Sequence, residues 1–166
     1  MITKDQLLAG MQRECDICTH LYGKIPDGGL DFRFTPTQRS TLELLQYLSF
    51  VGTGFTTAVI DATWDPYTEL AKASEALDAA DFPAAMERQK QALTDLFAKV
   101  TDEDLQTREF TQPWGHTQKL GHAIQELAYA SLVAYRMQLF LQAKAAGNAE
   151  IATPNCWAGV DMPAPE

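Results

Sequence analysis

Apolar residues recur three and four positions apart along four long stretches of the chain, and this spacing predicts amphipathic helices. In the first stretch, Thr3 and Gln6 form a possible capping box, which predicts a helix over about residues 4–22. The residues that share one face of this helix are Leu8, Met11, Cys15, Cys18 and Tyr22. This stripe predicts that the helix packs against a core along one side only.

The other helices are predicted from the same periodicity and from the positions of proline, which is tolerated in the first turn of a helix but not in its interior. These helices cover about residues 37–55, 65–79 and 82–100. The last long helix is predicted over about residues 117–146, and Gly147 marks its end.

Strand signals are almost absent, so the pattern predicts an all-α protein: an up-down four-helix bundle with a short extra helix. We expect a single domain over residues 1–166. Its last part, residues 147–166, contains three prolines and two glycines. We therefore expect an irregular C-terminal tail there, packed by Trp157.

Composition narrows the functional classes. Of the 166 residues, 46% are hydrophobic and 21% are charged, which is typical of a soluble globular domain. The net charge of −9 and the lack of a Lys/Arg cluster argue against nucleic-acid binding. No apolar run is long enough for a membrane span, and the N-terminus lacks a signal-peptide pattern, so we expect a cytoplasmic protein. Three cysteines, an odd number, do not make a disulfide framework.

Two motifs carry a family resemblance. One is the helical run over residues 127–141, which contains Arg136-Met137-Gln138, and the other is Arg39-Ser-Thr-Leu-Glu-Leu-Leu-Gln-Tyr-Leu48. Together they resemble the last and second helices of DinB-like (YfiT-like) bundle proteins. In that family the last helix carries two histidines four residues apart, followed by Arg-Gly-Gln, and the second helix carries a third histidine. The resemblance covers about residues 1–147 and implies the same four-helix fold.

The resemblance also sets Tyr47, Ser131 and Tyr135 at the three histidine positions, so the metal triad of the family is missing. Members with the complete triad are similar to thiol-dependent S-transferases and isomerases, in which a metal activates a low-molecular-weight thiol. A tyrosine titrates near pH 10 and a serine hydroxyl is a weak ligand. We therefore predict no cofactor, and in particular no nickel or zinc.

Two interpretations of the candidate pocket Tyr47, Ser131, Tyr135 and Gln138 stay open. In the first, the tyrosines fill the space that the metal site has vacated, each hydroxyl being hydrogen-bonded to a neighbour or to water. In the second, the four residues line a retained pocket and orient a small-molecule ligand. Gln138 lies one helical turn beyond Tyr135 and is a possible partner for either hydroxyl.

Other reactive residues fit structural roles better. His122 and Glu126 fall on the face opposite the candidate pocket, which favours an exposed pair over metal ligands. Cys15 and Cys18 form a Cys-x-x-Cys match inside the first helix, not at its N-terminus, so we predict two core cysteines. His20 lies off the apolar stripe and is expected to be solvated.

On the last helix, Arg136 is expected to form a structural ion pair with an acidic neighbour.

The outer face of the last helix is also apolar. Tyr129, Val133, Met137 and Phe140 form a second stripe, and a helix that is apolar all round is normally buried all round. We predict a homodimer through this stripe, and the alternative is cover by the 56–80 segment of the same chain.

The sequence leaves three functions open. The favoured one is a metal-free member of the fold that binds a small ligand or has no catalytic activity. The second is a thiol-dependent S-transferase or isomerase, and the third is a dimeric structural or partner-binding module. Whether the protein is an enzyme stays undecided at this point.

Overall fold

The computed structural model describes residues 2–161 of the chain. Its elements in order are α1 (Lys4–Tyr22), α2 (Thr41–Leu48), α3 (Val51–Asp61), α4 (Asp65–Ser74), α5 (Phe82–Phe97), α6 (Asp102–Thr107), β1 (Glu109–Thr111), β2 (Thr117–Lys119), α7 (Leu120–Ala123), α8 (Ala130–Ala145) and α9 (Thr153–Ala158). A π turn, Ile124–Tyr129, joins α7 to α8. Short 3-10 turns lie at Gly29–Asp31 and Ala79–Asp81.

The predicted all-α bundle is confirmed. Four helical segments form the bundle. They are α1, α2 together with α3, α5, and the run from α7 through the π turn to α8. Helix α1 packs against α5 and α8, while α3 packs against α4, α5 and the π turn. Leu44, Leu93 and Leu132, from three of the four positions, are each 0% exposed in the shared core. No helix within residues 2–161 is long and apolar enough to cross a membrane.

The first helix has the predicted bounds. Thr3 Oγ1 accepts a hydrogen bond from the Gln6 amide, and Gln6 Oε1 accepts one from the Thr3 amide. This reciprocal capping box satisfies two donors that the first helical turn leaves unpaired. Met11, Cys15 and Cys18 are completely buried on the inner face. The prediction that the two cysteines belong to the core is confirmed.

The second helix differs from the prediction at its start and in its middle. It begins at Thr41, not near Thr37, because Ser40 and Glu43 form a second capping box. It also breaks after Leu48, where the Ser49 hydroxyl donates to the Gln46 carbonyl oxygen. The following turn offsets α3 from α2.

Close packing accounts for two glycines in α3, Gly52 and Gly54. A Cβ at Gly54 would lie 2.9 Å from the Tyr67 ring, and a Cβ at Gly52 would lie 3.0 Å from Leu132 Cδ1. The first distance is shorter than real Cβ contacts and the second is tighter than most of them, so each glycine makes room for a neighbouring side chain. The third predicted helix is confirmed as α5, and the short one ends at Ser74, before Ala79.

The last long helix was predicted as one α-helix over 117–146, and this is wrong in two respects. Residues 117–119 form strand β2, which pairs antiparallel with β1. Residues 124–129 then form the π turn, in which each N–H bonds the carbonyl five residues earlier instead of four. One extra residue in a turn rotates the following helix by about 100° relative to an unbroken α-helix.

This rotation changes which face of α8 is buried. Its buried residues are Leu132, Arg136, Leu139, Gln142 and Ala143. The side chains predicted to point inwards, Ser131, Tyr135 and Gln138, are only half-buried. A helical wheel for an unbroken helix could not show this shift, since the extra residue of the π turn moves every later position.

The outer stripe of α8 is partly covered within the chain. Tyr129 lies against Gly10 of α1, where an added Cβ would be 3.4 Å from its ring. The sulfur of Met137 lies 4.0 Å from the sulfur of Cys156 in α9. Val133 and Phe140 are half-buried as well. The cover seen at Tyr129 and Met137 includes α1 and α9, and the homodimer stays a prediction.

The C-terminal tail is not wholly irregular, because residues Thr153–Ala158 form α9. Its N-terminus is stabilised by the Asn155 side-chain oxygen, which accepts a hydrogen bond from the Ala152 amide. Trp157, which was expected to pack the tail, is 58% exposed. Its ring instead lies over the Arg136 guanidinium, 5.3 Å from Cζ. Residues 162–166 of the predicted tail lie outside the described residues.

Candidate functional site

Tyr47 and Tyr135, predicted to share a pocket, are in contact where α2 meets α8. Their ring centroids are 4.7 Å apart and the ring planes are inclined at 65°. Ser131 and Gln138 lie one turn to either side of Tyr135 on α8. Within residues 2–161, no hydrogen bond joins the Gln138 side chain to either tyrosine hydroxyl. Of the four predicted residues, the structure thus brings the two tyrosines together.

A fifth residue, Arg39, completes this arrangement. Its guanidinium carbon lies 4.3 Å from the centroid of the Tyr47 ring and 5.7 Å from that of Tyr135. Both distances are in the range of a cation–π contact. The backbone of Arg39 is held by α8, because the buried Gln142 side chain donates to the Arg39 carbonyl oxygen at 2.9 Å.

Arg39 lines a cleft of about 440 Å³ between α2, α4 and the loop before α2. We call this the Arg39 cleft, and its walls include Arg33, Gln38, Arg39, Gln46, Tyr47 and Tyr67. The sequence motif began at Arg39, yet nothing in it pointed to a binding role. The one signal in the sequence was that Arg39 comes directly before Ser40, the N-cap residue, which places the backbone of Arg39 at the N-terminal end of α2.

Among the charged side chains around the cleft, Arg33 has a carboxylate partner and Arg39 has none among residues 2–161. Arg33 Nη1 lies 3.4 Å from Glu43 Oε2, and Glu43 also accepts a hydrogen bond from the Ser40 amide. That backbone bond, with the Arg33 charge, lowers the pKa of Glu43 below its usual value. Glu75 lies on the far wall. Arg39 has no carboxylate within 4.0 Å among residues 2–161, so its guanidinium is available to a ligand.

The donor set does not fit a divalent metal. Burial raises the pKa of the Tyr47 hydroxyl, and the neighbouring Tyr67 and Tyr135 raise it further, against an opposing effect of Arg39. Tyr47 is therefore a neutral phenol, and Ser131 offers only a hydroxyl. The Arg39 guanidinium puts a positive charge beside the two rings, which repels another cation. Within the described part of the chain, no three His, Cys, Asp or Glu residues are arranged to hold a metal ion.

An aromatic cluster attaches α4 to the rest of the protein. No residue of α4 is fully buried. Tyr67 projects from it between Phe50 and Phe55, with ring centroids 5.4 and 4.8 Å away. Trp64, at the start of α4, contacts the same Phe55 and Tyr67 rings. Helix α4 is thus held mainly by aromatic contacts at its first two turns.

A second groove, of about 450 Å³, lies on the other side of α4. We call it the α4–α5 groove; its walls include Phe50, Leu70, Ala73, Ser74, Leu77 and Ala85. Phe50 and Ser74 also line the Arg39 cleft, so the two spaces are neighbours along α4.

The His122–Glu126 pair is exposed, as predicted, but its carboxylate has other partners. Glu126 Oε2 accepts hydrogen bonds from the Gln118 and Gln112 side chains at 2.6 and 3.0 Å. These bonds, with Gln118 first, lower the pKa of Glu126. Both glutamines are buried in the β1–β2 hairpin, so Glu126 ties the hairpin to the π turn. Sequence reasoning missed this link because it depends on the unforeseen hairpin.

His20 is not solvated as expected, since its side chain is only 18% exposed. Its Nε2 lies 3.1 Å from Asn155 Nδ2 and 3.6 Å from Asp161 Oδ1. Burial lowers the pKa of His20, although the Asp161 charge acts in the opposite direction. The physical reason is α9, which was predicted as irregular chain and instead covers this end of α1.

The structural ion pair expected for Arg136 is confirmed. Arg136 Nη1 lies 2.7 Å from Glu14 Oε2, and the two side chains are 3% and 5% exposed. Arg136 Nε has no hydrogen-bond partner among residues 2–161. Burial raises the pKa of Glu14, while Arg136 and Arg13 lower it.

Comparison with known proteins supports the fold. No protein-family model and no curated protein matches the sequence. Among solved structures, the chain is similar to YjoA, a DinB-like protein from Bacillus subtilis, with a TM-score of 0.70 and 17% sequence identity. The match covers 89% of this chain and 96% of that chain. The chain therefore has the DinB-like fold that its two helix motifs predict.

Proposed function

We propose that this protein binds a small organic monoanion in the Arg39 cleft without a metal ion. The observation that carries the proposal is the Arg39 guanidinium, which lies over the Tyr47 ring and has no carboxylate partner among the described residues. Hydrogen bonds between a guanidinium and a carboxylate are among the strongest in proteins. An arginine already held over an aromatic ring loses less freedom when it binds such a ligand.

The size and charge of the cleft support the same ligand class. A volume near 440 Å³ is in the range of small-molecule sites. Glu43 and Glu75 on its walls oppose a second negative charge, which favours a monoanion over a dianion. The aromatic rings of Tyr47 and Tyr67 provide flat apolar surface for the body of the ligand.

Catalysis by thiol transfer has less support. The side chains that line the cleft include no cysteine or histidine. Tyr47 is a neutral phenol with a raised pKa, which makes it a poor general base near neutral pH. We therefore favour binding over catalysis as the function of this site.

The test is calorimetric titration with benzoate and with benzamide, a neutral molecule of nearly the same shape. We expect benzoate to bind more tightly, and Arg39→Met to weaken benzoate binding by roughly 10- to 100-fold, the value of a charged hydrogen bond. Arg13→Met removes the same charge from an exposed position of α1 that lines neither the cleft nor the groove, and serves as the matched control. Equal affinity for the two compounds, or an unchanged affinity in Arg39→Met, would overturn the proposal.

A second arm tests the metal-free part. The protein is dialysed against nickel or zinc and its metal content is measured. We expect no stoichiometric retention by the wild type. Stoichiometric metal that is lost in Tyr47→Phe or Tyr135→Phe would show that the tyrosines are ligands and would refute this part of the proposal.

A further inference from the structure

The side chains that line the Arg39 cleft include four charged ones, two of each sign: Arg33, Arg39, Glu43 and Glu75. Arg33 and Glu43 are paired with each other at 3.4 Å. Arg33 Nη1 also donates to the Gln38 carbonyl oxygen at 3.1 Å, and Glu43 Oε2 accepts from the Ser40 amide at 2.6 Å. These two residues therefore stabilise the loop before α2 and its first turn, and their charges offset each other.

The other two charged side chains, Arg39 and Glu75, have no partner of opposite sign among residues 2–161. Arg39 has no carboxylate within 4.0 Å, and Glu75 has no lysine, arginine or histidine nitrogen within that distance. Lys72, one turn earlier on α4, does not line the cleft. Within the described part of the chain, the cleft thus presents one unpaired guanidinium and one unpaired carboxylate to a ligand.

The two unpaired groups come from different walls. Arg39 belongs to the loop before α2, and Glu75 directly follows Ser74, the last residue of α4. The Gln46 side chain of α2 donates to the Glu75 carbonyl oxygen at 3.0 Å and to the Leu77 carbonyl oxygen at 3.2 Å. These bonds hold the backbone of Glu75 against α2. The negative end of the α4 dipole lies at the same place, and it favours a positive group beside Glu75.

Three aromatic rings form a continuous part of the cleft lining. They belong to Tyr47, Phe50 and Tyr67. The Phe50 ring contacts both of the others, with centroids 5.6 Å from Tyr47 and 5.4 Å from Tyr67. Such rings offer apolar surface to the body of a ligand, and their faces also attract a cationic group.

We infer that the ligand is an amino carboxylate, whose carboxylate binds Arg39 and whose ammonium group binds Glu75. Its body lies against the three aromatic rings. This inference rests on the proposed binding of an anionic group by Arg39 and adds a second, positively charged group to the same ligand. The two charges of the ligand match the two unpaired groups of the cleft, so neither Arg39 nor Glu75 gives up an ion pair within the described chain to bind it.

The experiment is calorimetric titration at pH 7 with three pairs of carboxylates, of which one member carries an ammonium group and the other does not. The pairs are phenylalanine with 3-phenylpropanoate, 3-(aminomethyl)benzoate with 3-ethylbenzoate, and 4-(aminomethyl)benzoate with 4-ethylbenzoate. The distance between the two charges increases from the first pair to the last. The measured quantity is the ratio of the two affinities within a pair, in the wild type and in Glu75→Gln.

Glu75→Gln should lower this ratio by about two- to fivefold in the pair whose charge separation fits the cleft, which is the value of an ion pair exposed to water. It should not weaken the binding of the compounds without an ammonium group. Glu69→Gln is the matched control, because Glu69 is an exposed residue of α4 that does not line the cleft. It should leave the ratio unchanged. Thermal unfolding of both variants establishes that they are folded.

The outcomes distinguish the two proposals. If benzoate binds in an Arg39-dependent manner and Glu75→Gln changes the ratio in none of the three pairs, the ammonium site is refuted and the anion site is retained. An equal fall of the ratio in Glu69→Gln also refutes the ammonium site, because the effect then comes from the overall charge. If none of the carboxylates binds the wild type, both proposals are wrong.

Discussion

Replacing Arg136 by methionine should destabilise the protein strongly and in a pH-dependent manner. The substitution retains most of the side-chain volume and removes the charge that faces Glu14 at 2.7 Å. Glu14 is then a buried carboxylate whose main partner is gone. The Arg13 charge also acts on Glu14, but it is present in both proteins and cancels in the comparison.

The magnitude follows from the burial of both groups. Breaking a buried ion pair on one side costs about 3–5 kcal/mol, because the remaining charge stays desolvated. For a domain of this size, that corresponds to a fall in Tm of roughly 6–20 °C. Replacing both partners, as in Glu14→Leu with Arg136→Met, leaves no buried charge. The double variant should therefore be more stable than Arg136→Met alone.

The sign of the pH dependence follows from the pKa of Glu14. Burial raises this pKa in the folded state, and loss of Arg136 removes an interaction that lowers it. Between the unfolded and folded pKa values, the native state binds more protons than the unfolded state. Stability therefore falls as pH rises through this window, by up to about 1.4 kcal/mol per pH unit. The cost of Arg136→Met should be smaller at pH 5 than at pH 7.5.

Urea unfolding followed by circular dichroism measures the free energy of unfolding of the wild type, both single variants and the double variant at these two pH values. Comparison with the wild type at each pH removes contributions from other carboxylates. The reasoning is refuted if Arg136→Met costs the same at pH 5 and pH 7.5. It is also refuted if the double variant is as unstable as Arg136→Met.

Two further predictions concern buried groups. The Thr53 hydroxyl is buried with no partner among residues 2–161, so Thr53→Val should be neutral or stabilising. Thr56→Val, its control, should cost about 0.5–1.5 kcal/mol in urea unfolding because its hydroxyl bonds a carbonyl one turn earlier; equal effects would contradict this. Burial raises the pKa of Cys15 to about 12, and burial also raises the pKa of Cys18 and of Cys156. Native protein should therefore not react rapidly with Ellman's reagent, whereas unfolded protein should. Rapid labelling of Cys15 would show that the core is open.

The fold was predictable from the sequence because local sequence signals mark where its helices begin. The capping box of Thr3 and Gln6 and the proline that opens α5 were read correctly, and both depend on residues within one turn. The start of α2 was missed although Ser40 and Glu43 form the same kind of box. Pro36 permits a helix to begin just after it, but the Ser40–Glu43 capping box satisfies the free backbone donors of a helix that begins at Thr41.

The buried face of α8 could not be predicted, because it depends on one extra residue in the preceding π turn. The π turn at Ile124–Tyr129 has no fixed sequence signature, and it rotates Arg136 from the side of the predicted bundle into its core. The same rotation takes Ser131 and Gln138 away from the centre of the core. Helical periodicity gives the period correctly but carries no information about an inserted residue.

Of the four residues predicted to line a pocket, Tyr47 lines the Arg39 cleft and Tyr135 contacts Tyr47 from outside it. The motif comparison located the contact between Tyr47 and Tyr135, where the family resemblance implies a cation. The structure puts a cation of the protein itself, Arg39, over both rings. Because Arg39 reaches them from the loop before α2, outside the helical pattern, no spacing rule connects it to the tyrosines. A guanidinium in that place complements a negatively charged group, and this is the reason that we propose a carboxylate ligand for the site.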